Sequence, residues 1–336
     1  MKETHVLLDH GSGGRATHEL VQHVFARFLS NPYLDAMNDS AVMHVPGHRL
    51  AFTTDAYVVD PIIFPGGNIG SLAVHGTIND LAMSGAQPIY LTAAFILEEG
   101  LEILLLETIV QSMAEAARDA GVAVVAGDTK VVPKGKGDKI FITTSGVGIV
   151  APGVSVQGQN ARPGDMVLIN GTIGDHGTAI LCTREGLSME GDIRSDSAAL
   201  HTLTAAVLSR CPQVHVFRDP TRGGVATTLN EIARQSRVGI RLFEEALPIE
   251  EDVAGACEIL GLDPLYMANE GKVLVVLPRE EAEKALQTMR SHPLGRKAAL
   301  IGEVIEDHPG RVVLQTRIGG NRILDMLRGE PLPRIC

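Results

Sequence analysis

The final residue of the chain is a cysteine, Cys336, which follows Pro333, Arg334 and Ile335. Prolines at positions 331 and 333 disfavour helix and strand pairing, so the sequence predicts an extended and mobile tail. A thiol on such an arm can be carried to an active site, modified there and presented to a partner. The alternative is a chain that happens to end on a cysteine with no role. A prenylation signal is not expected, because its cysteine stands four residues from the end.

Four aspartates stand where a predicted strand or helix meets a loop, namely Asp39, Asp55, Asp80 and Asp128. Magnesium prefers oxygen ligands and is usually held by a few carboxylates together with nucleotide phosphates. Gathered at one end of a sheet, these side chains would form such a site. Asp80 lies in the apolar helical stretch 72–83, where a carboxylate without a partner is costly to bury. For each aspartate taken alone, a role in a turn or a helix cap is the alternative.

Two glycine-rich loops precede predicted helices. The first runs His10-Gly11-Ser12-Gly13-Gly14-Arg15, and the second runs Asp219-Pro220-Thr221-Arg222-Gly223-Gly224. Loops of this kind let backbone N–H groups approach a phosphate at the start of a helix, and Arg222 adds a positive charge. The first loop matches neither the Walker A pattern nor the Rossmann fingerprint. Flexible turns are the alternative interpretation of both loops.

The composition is that of an acidic globular protein. Of 336 residues, 45% are hydrophobic and 21% are charged, with a formal net charge of -11. The acidic balance argues against nucleic-acid binding, and the lack of a long apolar run argues against a membrane span or a signal peptide. We therefore expect a cytoplasmic protein. The cysteines are far apart and form no C-x-x-C pair, which argues against a zinc site or a disulfide framework.

Hydrophobic periodicity predicts two α+β domains rather than one doubly wound sheet. A glycine- and proline-containing linker at 151–164 separates them, and Gly121 is expected to end a helix. The predicted boundaries are 1–152 for the first domain, 153–310 for the second, and 311–336 for a C-terminal segment and tail. Strands are predicted at 50–55, 89–97, 122–126, 140–150, 166–170, 272–277 and 299–305, and helices at 17–28, 69–84, 101–120, 195–209, 224–236, 251–260 and 279–291.

Taken together, the motifs resemble one family. The stretches that carry the resemblance are His10-Gly-Ser-Gly-Gly, Phe64-Pro-Gly-Gly-Asn-Ile-Gly, Asn79-Asp80-Leu-Ala, Gly127-Asp-Thr-Lys130, Gly171-Thr-Ile-Gly-Asp-His-Gly, Asp219-Pro-Thr-Arg-Gly-Gly, Ala268-Asn-Glu-Gly-Lys272 and Pro333-Arg-Ile-Cys336. They resemble the HypE family of hydrogenase maturation factors, in the aminoimidazole ribonucleotide synthetase-like superfamily. The resemblance covers essentially the whole chain. The terminal motif is its most specific part, because related ATP-using enzymes share the aspartates and glycine loops without that tail.

The resemblance implies a fold and a reaction. The fold would be an N-terminal α/β domain that binds ATP and dimerises through its sheet, followed by a C-terminal α+β domain. In the family's reaction the terminal cysteine receives a carbamoyl group from the carbamoyltransferase HypF. ATP, with Mg²⁺, then drives dehydration of this thiocarbamate to a thiocyanate. The cyano group passes to an iron centre on a HypC–HypD complex and becomes a ligand of [NiFe]-hydrogenase.

The resemblance also implies roles for single residues. Cys336 would carry the carbamoyl group, Glu270 would be the general base, and Lys130 would stabilise charge developing on oxygen or phosphate. Without the family, Lys130 is a surface lysine after a turn and Glu270 a loop carboxylate. The expected nucleotide contacts are His10, Gly11, Gly13, Gly14, Asn79, Asp128, Thr129 and Arg222, with His176 as a further one, and the expected magnesium ligands are Asp39, Asp55, Asp80 and Asp128.

Two alternatives remain from the sequence. One is a different enzyme of the same superfamily, such as a selenophosphate synthetase or a thiamine-phosphate kinase. A selenophosphate synthetase would typically carry a reactive cysteine near the N-terminal glycine loop, but the first cysteine here is Cys182. The other alternative is a non-catalytic scaffold whose tail only docks to partners.

Overall fold

The computed structural model describes residues 4–7, 20–31, 49–187, 191–327 and 334–336. Among the described residues, the first domain has a short π-helical turn (Val21–Phe25) that continues into one helical turn (Ala26–Leu29). Its further elements are β1 (Arg49–Tyr57), β2 (Ile63–Phe64), β3 (Gly67–Asn68), α1 (Ile69–Met83), β4 (Ala86–Glu98), α2 (Ile103–Asp119), β5 (Ala123–Val132) and β6 (Ile140–Val150). β1, β6, β4 and β5 form a four-stranded sheet in that order, in which only β4 and β5 are parallel.

The two faces of this sheet differ. α1 and α2 cover one face, and their apolar side chains form a core with the strands. α1 starts at a capping box, in which the Asn68 side chain accepts from the backbone N–H of Ser71 and the Ser71 side chain accepts from the backbone N–H of Asn68. α2 is followed by Gly121, whose φ is +69°. The opposite face exposes apolar side chains. Phe52 is 73% exposed, Ile96 43% and Leu50 40%.

The elements of the second domain are β7 (Asp165–Ile169), α3 (Asp175–Glu185), α4 (His201–Arg210), β8 (Val216–Arg218), α5 (Gly224–Ser236), β9 (Gly239–Phe243), α6 (Glu251–Leu260), β10 (Leu274–Pro278), α7 (Arg279–Arg290), β11 (Ala299–Ile305), β12 (Val312–Gln315) and β13 (Asn321–Leu324). Its strands form a seven-stranded sheet in the order β13-β12-β9-β11-β7-β10-β8, in which only β9 and β12 are parallel. Both faces are buried at β7 and β10, which explains why these two strands are continuous apolar runs in the sequence. α5 packs on one face, and α4 and α7 pack on the other.

The domains share a core. Ile180 of α3 and Val253 of α6 belong to the same apolar cluster as the first domain's sheet, and Ile335 of the tail joins them. The segment from 312 to 324 is part of the second sheet, because β12 pairs with β9 and β13 pairs with β12. The predicted boundary of the second domain, at residue 310, leaves this segment out.

Two helices of the structure differ from the prediction. α3 was not predicted, and the helix predicted from Ser195 begins only at His201. Residues 195–200 instead form an irregular segment that crosses between the domains, and their polar groups bond to both domains. In the described part of the chain, no helix is long and apolar enough to cross a membrane.

Candidate functional site

The C-terminal tail is docked on the first domain. The backbone N–H of Val58 donates to Cys336 O over 2.9 Å, and that of Asp60 donates to Arg334 O over 3.1 Å. Ile335, between them, is 2% exposed. Ile335 forms a β-bridge with Val59, whereas Arg334 has a φ of +53°, so residues 334–336 are not extended throughout. The contacts define a bound position for the tail, and its predicted mobility stays a prediction. The prolines precede this segment, so its own backbone groups remain free to pair with the chain that follows β1.

Arg334 adds ionic contacts to this docking. Its guanidinium lies 3.1 Å from Asp60 Oδ2 and also pairs with Asp138, both in the first domain. Arg184 of α3 donates to the Arg334 carbonyl oxygen over 2.7 Å. Side chains from both domains therefore bind the tail.

The thiol of Cys336 is half-buried at the junction of the domains. Burial raises the pKa of this thiol above its usual range, and the nearby carboxylates of Glu270 and Asp55 raise it further. Arg222 opposes them as a cation and as a hydrogen-bond partner of the sulfur. The docked cysteine is thus a protonated thiol, beside one cation and two carboxyl groups.

Glu270 is the most unusual acid of the site. It is 3% exposed, and its Oε1 has no hydrogen-bond partner among the described residues. Burial raises its pKa well above the usual value, and repulsion from Asp196, Asp219 and Asp55 adds to the rise, whereas Arg222 lowers it. A carboxyl group in this position holds its proton more firmly than an ordinary glutamate.

Asp196 holds the backbone around Glu270. Its carboxylate accepts from the N–H of Glu270 over 3.1 Å, from that of Gly271 over 3.3 Å and from Lys272 Nζ over 2.7 Å. A Cβ on Gly271 would lie 1.8 Å from the Asp196 carbonyl oxygen, so glycine is required there. Although burial opposes ionisation, Lys272 keeps the pKa of Asp196 below its usual value. Glu270 is therefore placed by a rigid, ionised support.

Further carboxyl groups line the same region. Burial raises the pKa of Asp80, against the effect of a 2.7 Å hydrogen bond from Thr53 Oγ1. Burial, followed by repulsion from Asp80, raises the pKa of Asp219 to about 7. Asp55 contributes to both shifts. We call Asp55, Asp80, Asp219 and Glu270 the acidic cluster. Within the described ranges, no three acidic, histidine or cysteine side chains form a ready-made metal site.

Asp128 and Lys130 lie away from this cluster in their own chain. β5 and β1 are the two edges of the first sheet, with β4 and β6 between them. Asp128 and Lys130 stand opposite Ala94 and Ile96 on the exposed face, and the two side chains bond to each other over 2.8 Å. Asp55 instead stands opposite Thr144, whose hydroxyl bonds to α1 on the covered face. Within one chain, Asp128 therefore lies apart from Asp55 and Asp80, and its predicted role as a magnesium ligand stays a prediction.

The remaining predicted site residues lie in several different parts of the structure. Asn79 is buried, and its amide bonds to the carbonyl oxygens of Ala198 and Glu270 and to the N–H of Leu200, so it joins the two domains. His176 is fully buried, with both ring nitrogens engaged. Their nucleotide contacts stay predictions. Thr129 lies in β5 between Asp128 and Lys130. Five residues with predicted site roles lie outside the described part of the chain, namely His10, Gly11, Gly13, Gly14 and Asp39.

The structure adds residues that the sequence did not single out for these roles, namely Asp196, Asp219 as an acid, and Arg184. The available signal was the polar run Ser195-Asp196-Ser197, which is a poor start for a helix interior. Asp219 was visible only as part of a glycine loop. Arg184 carries no sequence signal, because its contact with the tail is between residues 150 positions apart.

Known protein families and proteins match this chain over most of its length. The family model described as AIR synthase related protein, N-terminal domain, matches residues 37–150, and the corresponding C-terminal domain model matches residues 162–315. The carbamoyl dehydratase HypE of Azotobacter vinelandii is 58% identical over 327 residues, which are 97% of this chain and 96% of that protein.

Solved structures agree as well. The hydrogenase maturation protein HypE, crystallised in complex with ATP, has a TM-score of 0.95 and 52% identity, over 98% of this chain and 99% of that one. HypE from a HypE–HypF complex has a TM-score of 0.81 and 51% identity, over 92% and 99% of the two chains. The expected fold class, two α+β domains of the aminoimidazole ribonucleotide synthetase type, is confirmed. With relatives this similar over nearly its full length, the chain belongs to the HypE family of the AIR synthase related proteins.

Proposed function

We propose that this protein uses ATP to dehydrate an S-carbamoyl group on its own Cys336 to a thiocyanate. The product supplies the cyanide ligand of a [NiFe]-hydrogenase iron centre. The observation that carries the proposal is the docked tail, which sets the Cys336 sulfur beside Glu270 and Arg222. The carbamoyl dehydratase activity named for HypE relatives supports the type of reaction, and the ATP complex of a related HypE supports the nucleotide.

The chemistry balances with one ATP. The carbonyl oxygen of the thiocarbamate is a poor leaving group, and transfer of the γ-phosphoryl group to it makes a good one. One N–H proton leaves the nitrogen as the C=N bond forms. The second leaves as the C–O bond breaks, and the products are the thiocyanate, ADP and phosphate.

Glu270 is suited to the proton transfers. A carboxylate with a raised pKa accepts a proton more readily than an ordinary glutamate, and general-base catalysis contributes about 10²–10⁴ in rate. Arg222 is suited to the charge that develops on the phosphorylated oxygen, because a guanidinium pairs well with phosphate. Both side chains act on the docked thiol, Arg222 as a hydrogen-bond partner and Glu270 through its charge.

The nucleotide and Mg²⁺ are proposed for the acidic cluster and the loop before α5. Gly223 and Gly224 have φ of +77° and +61°, and a Cβ on Gly224 would lie 2.5 Å from Leu265 O. Glycines here bring backbone N–H groups to the start of a helix, where phosphate binds. Asp55, Asp80 and Asp219 would hold the magnesium ion, since a cation would relieve their mutual repulsion. Phosphate oxygens have to complete the coordination, and the ion would neutralise phosphate charge.

The docked thiol is a poor acceptor for carbamoylation, because a thiol with a raised pKa is a weak nucleophile. We infer that the tail leaves its dock to be carbamoylated by HypF and returns for dehydration. The HypE–HypF complex of a related protein supports HypF as the donor enzyme. A second departure would deliver the cyano group to a HypC–HypD complex. The need for ATP supports a cytoplasmic location.

A homodimer would give Asp128 and Lys130 a place in the site. Both lie on the exposed face of the first sheet, where Lys130 stands opposite the exposed side chain of Ile96 and where Phe52, on the far edge strand, is also exposed. An exposed apolar sheet face favours association with a second copy. We propose that each chain supplies its Lys130 to the site of its partner, where it stabilises charge on the transferred phosphoryl group.

Oxygen transfer tests the reaction directly. The protein, carbamoylated with an isotopically labelled carbonyl oxygen, is mixed with ATP, and the released phosphate is analysed by mass spectrometry. The proposal predicts that each thiocyanate formed leaves its label in one phosphate. Phosphate from the background ATPase of a Cys336→Ala chain should carry none. Label found in water instead of phosphate would overturn activation of the oxygen by ATP.

A further inference from the structure

His176 is the only described side chain whose ring links the tail to the segment that crosses between the domains. It is fully buried at the start of α3. Its Nε2 lies 2.7 Å from the Ile335 carbonyl oxygen, and its Nδ1 lies 2.7 Å from Ser195 Oγ. A carbonyl oxygen can only accept, so Nε2 carries the proton and Nδ1 accepts from the serine hydroxyl. Burial lowers the pKa of His176, which agrees with a neutral ring.

Two hydrogen bonds fix the position of Ser195. Its N–H donates to Pro65 O in the β2–β3 turn over 2.8 Å, and its Oγ accepts from the N–H of Ser197 over 3.2 Å. Gly66, with φ +96°, allows this close approach, because a Cβ there would lie 2.7 Å from Ser195 O. The hydroxyl that orients the imidazole is therefore fixed relative to the first domain.

Two residues that are adjacent in the chain, Ser195 and Asp196, thus position the two reacting groups, the tail that carries Cys336 and the carboxyl group of Glu270. Ser195 acts on the tail through His176, while Asp196 holds the backbone N–H of Glu270. The residue after the bonded Ile335 carbonyl is Cys336. A shift of this carbonyl would therefore move the sulfur relative to Glu270.

We propose that His176 and Ser195 are positioning residues, which fix the Ile335 carbonyl and so place the Cys336 sulfur against Glu270. The docking part of this inference stands on the contacts alone. The catalytic part rests on the proposed function, because it concerns the geometry of the dehydration step.

The docking part is tested without ATP or a partner protein, by the rate at which Cys336 reacts with iodoacetamide, read by peptide mass spectrometry. His176→Leu removes the donor and leaves a buried carbonyl unpaired, which should shift the docking equilibrium and raise the labelling rate roughly 5- to 100-fold. Ser195→Ala, a smaller change, should raise it several-fold. His176→Gln, which keeps an N–H donor, should fall between His176→Leu and the unmodified protein.

His201→Leu is the matched control. His201 is also a buried histidine, 6% exposed, but it begins α4 and has no described contact with the tail. Its loss should leave the labelling of Cys336 within about twofold of the unmodified protein. Unchanged labelling in folded His176→Leu and in Ser195→Ala would overturn the inference. If His176→Leu does not fold, Ser195→Ala and His176→Gln decide it by the same rate.

The catalytic part is read from the carbamoylated chain with ATP. The dehydration rate should fall in His176→Leu and Ser195→Ala, whereas carbamoylation by the partner enzyme should be as fast as before or faster. Faster labelling together with no dehydration in the unmodified protein would contradict the proposed function but keep the docking role. Faster labelling with an unchanged dehydration rate would overturn the positioning role.

Discussion

The raised pKa values of three carboxyl groups are the main electrostatic feature at the scale of single residues. Glu270, Asp219 and Asp80 all have raised pKa values, first because they are buried and then because they repel one another. The folded chain therefore binds more protons than the unfolded chain at pH values between the unfolded and folded pKa. In that window the free energy of unfolding falls as pH rises. The cluster costs stability at neutral pH, which a bound cation would restore.

Asp219→Asn should show this cost. The pKa of Asp219 is about 7 in the folded chain, against an ordinary value of 3.8, so the penalty develops between about pH 4 and pH 7. The variant should be more stable than the unmodified protein at pH 7.5, by on the order of 1–3 kcal/mol, and equal to it near pH 4. Urea unfolding at the two pH values measures the difference. Asp307→Asn, in an exposed turn, is the control, and an equal change at both pH values would contradict the account.

The residues that could be predicted from sequence are those marked by an unusual position. Cys336, Arg222, Asp55 and Asp80 do come together with Glu270. The position of Asp128 apart from them within one chain could not be predicted, because strand ends are visible in a sequence but strand order and the facing of side chains are not.

At the scale of elements, the site is built where chain segments meet rather than on any one helix or strand. The tail, the connection after β1, the crossing segment 195–200 and the loop before α5 all converge there. Long periodic elements were predicted well, and α5, α6 and β11 have the predicted boundaries. α3 was missed because it contains Gly177 and is buried on most sides, so it shows no helical period. The docking of the tail was missed because it depends on distant partners.

Close contact of α1 and α2 gives a prediction at this scale. A Cβ on Gly70 would lie 2.2 Å from the carbonyl oxygen of Ile109, a backbone atom that has little room to move. Gly70→Ala should therefore destabilise the protein by about 1–3 kcal/mol, although alanine favours helix by about 1 kcal/mol. Thermal unfolding measures the change. Thr108→Ala, at an exposed site of α2, is the control, and a Gly70→Ala variant as stable as the control would contradict the close contact.

The whole molecule places its reactive group at the junction of two domains that share a core. Tail contacts come from the first domain through Asp60 and from the second through Arg184 and His176. Relative movement of the domains would therefore break or form the contacts that hold the tail. In the proposed dimer, a second chain would complete each site.

The exposed sheet face should be the dimer interface. Phe52→Asp places a charge on this face, so the variant should be monomeric by light scattering and should lose dehydration activity. Ile259→Asp alters a side chain that is 67% exposed on α6, compared with 73% for Phe52, and should remain dimeric. A dimer that survives Phe52→Asp would contradict this interface.

Mixing two inactive variants tests whether Lys130 acts on the partner's site. A Lys130→Ala chain keeps Cys336, and a Cys336→Ala chain keeps Lys130. If Lys130 acts across the interface, subunit exchange should restore dehydration at one of the two sites of a mixed dimer. Activity that does not recover, in dimers shown to be mixed by mass spectrometry, would place Lys130 outside the partner's site.

The central claim is that the docked Cys336 is dehydrated at Glu270, and the most direct measurement is a time course of intact mass. Unmodified and Glu270→Gln proteins are carbamoylated, freed of the donor enzyme and mixed with ATP. The unmodified chain should lose water, whereas Glu270→Gln should accept the carbamoyl group normally and then retain it, with dehydration slower by about 10²–10⁴. Dehydration of Glu270→Gln at the rate of the unmodified protein would contradict the account.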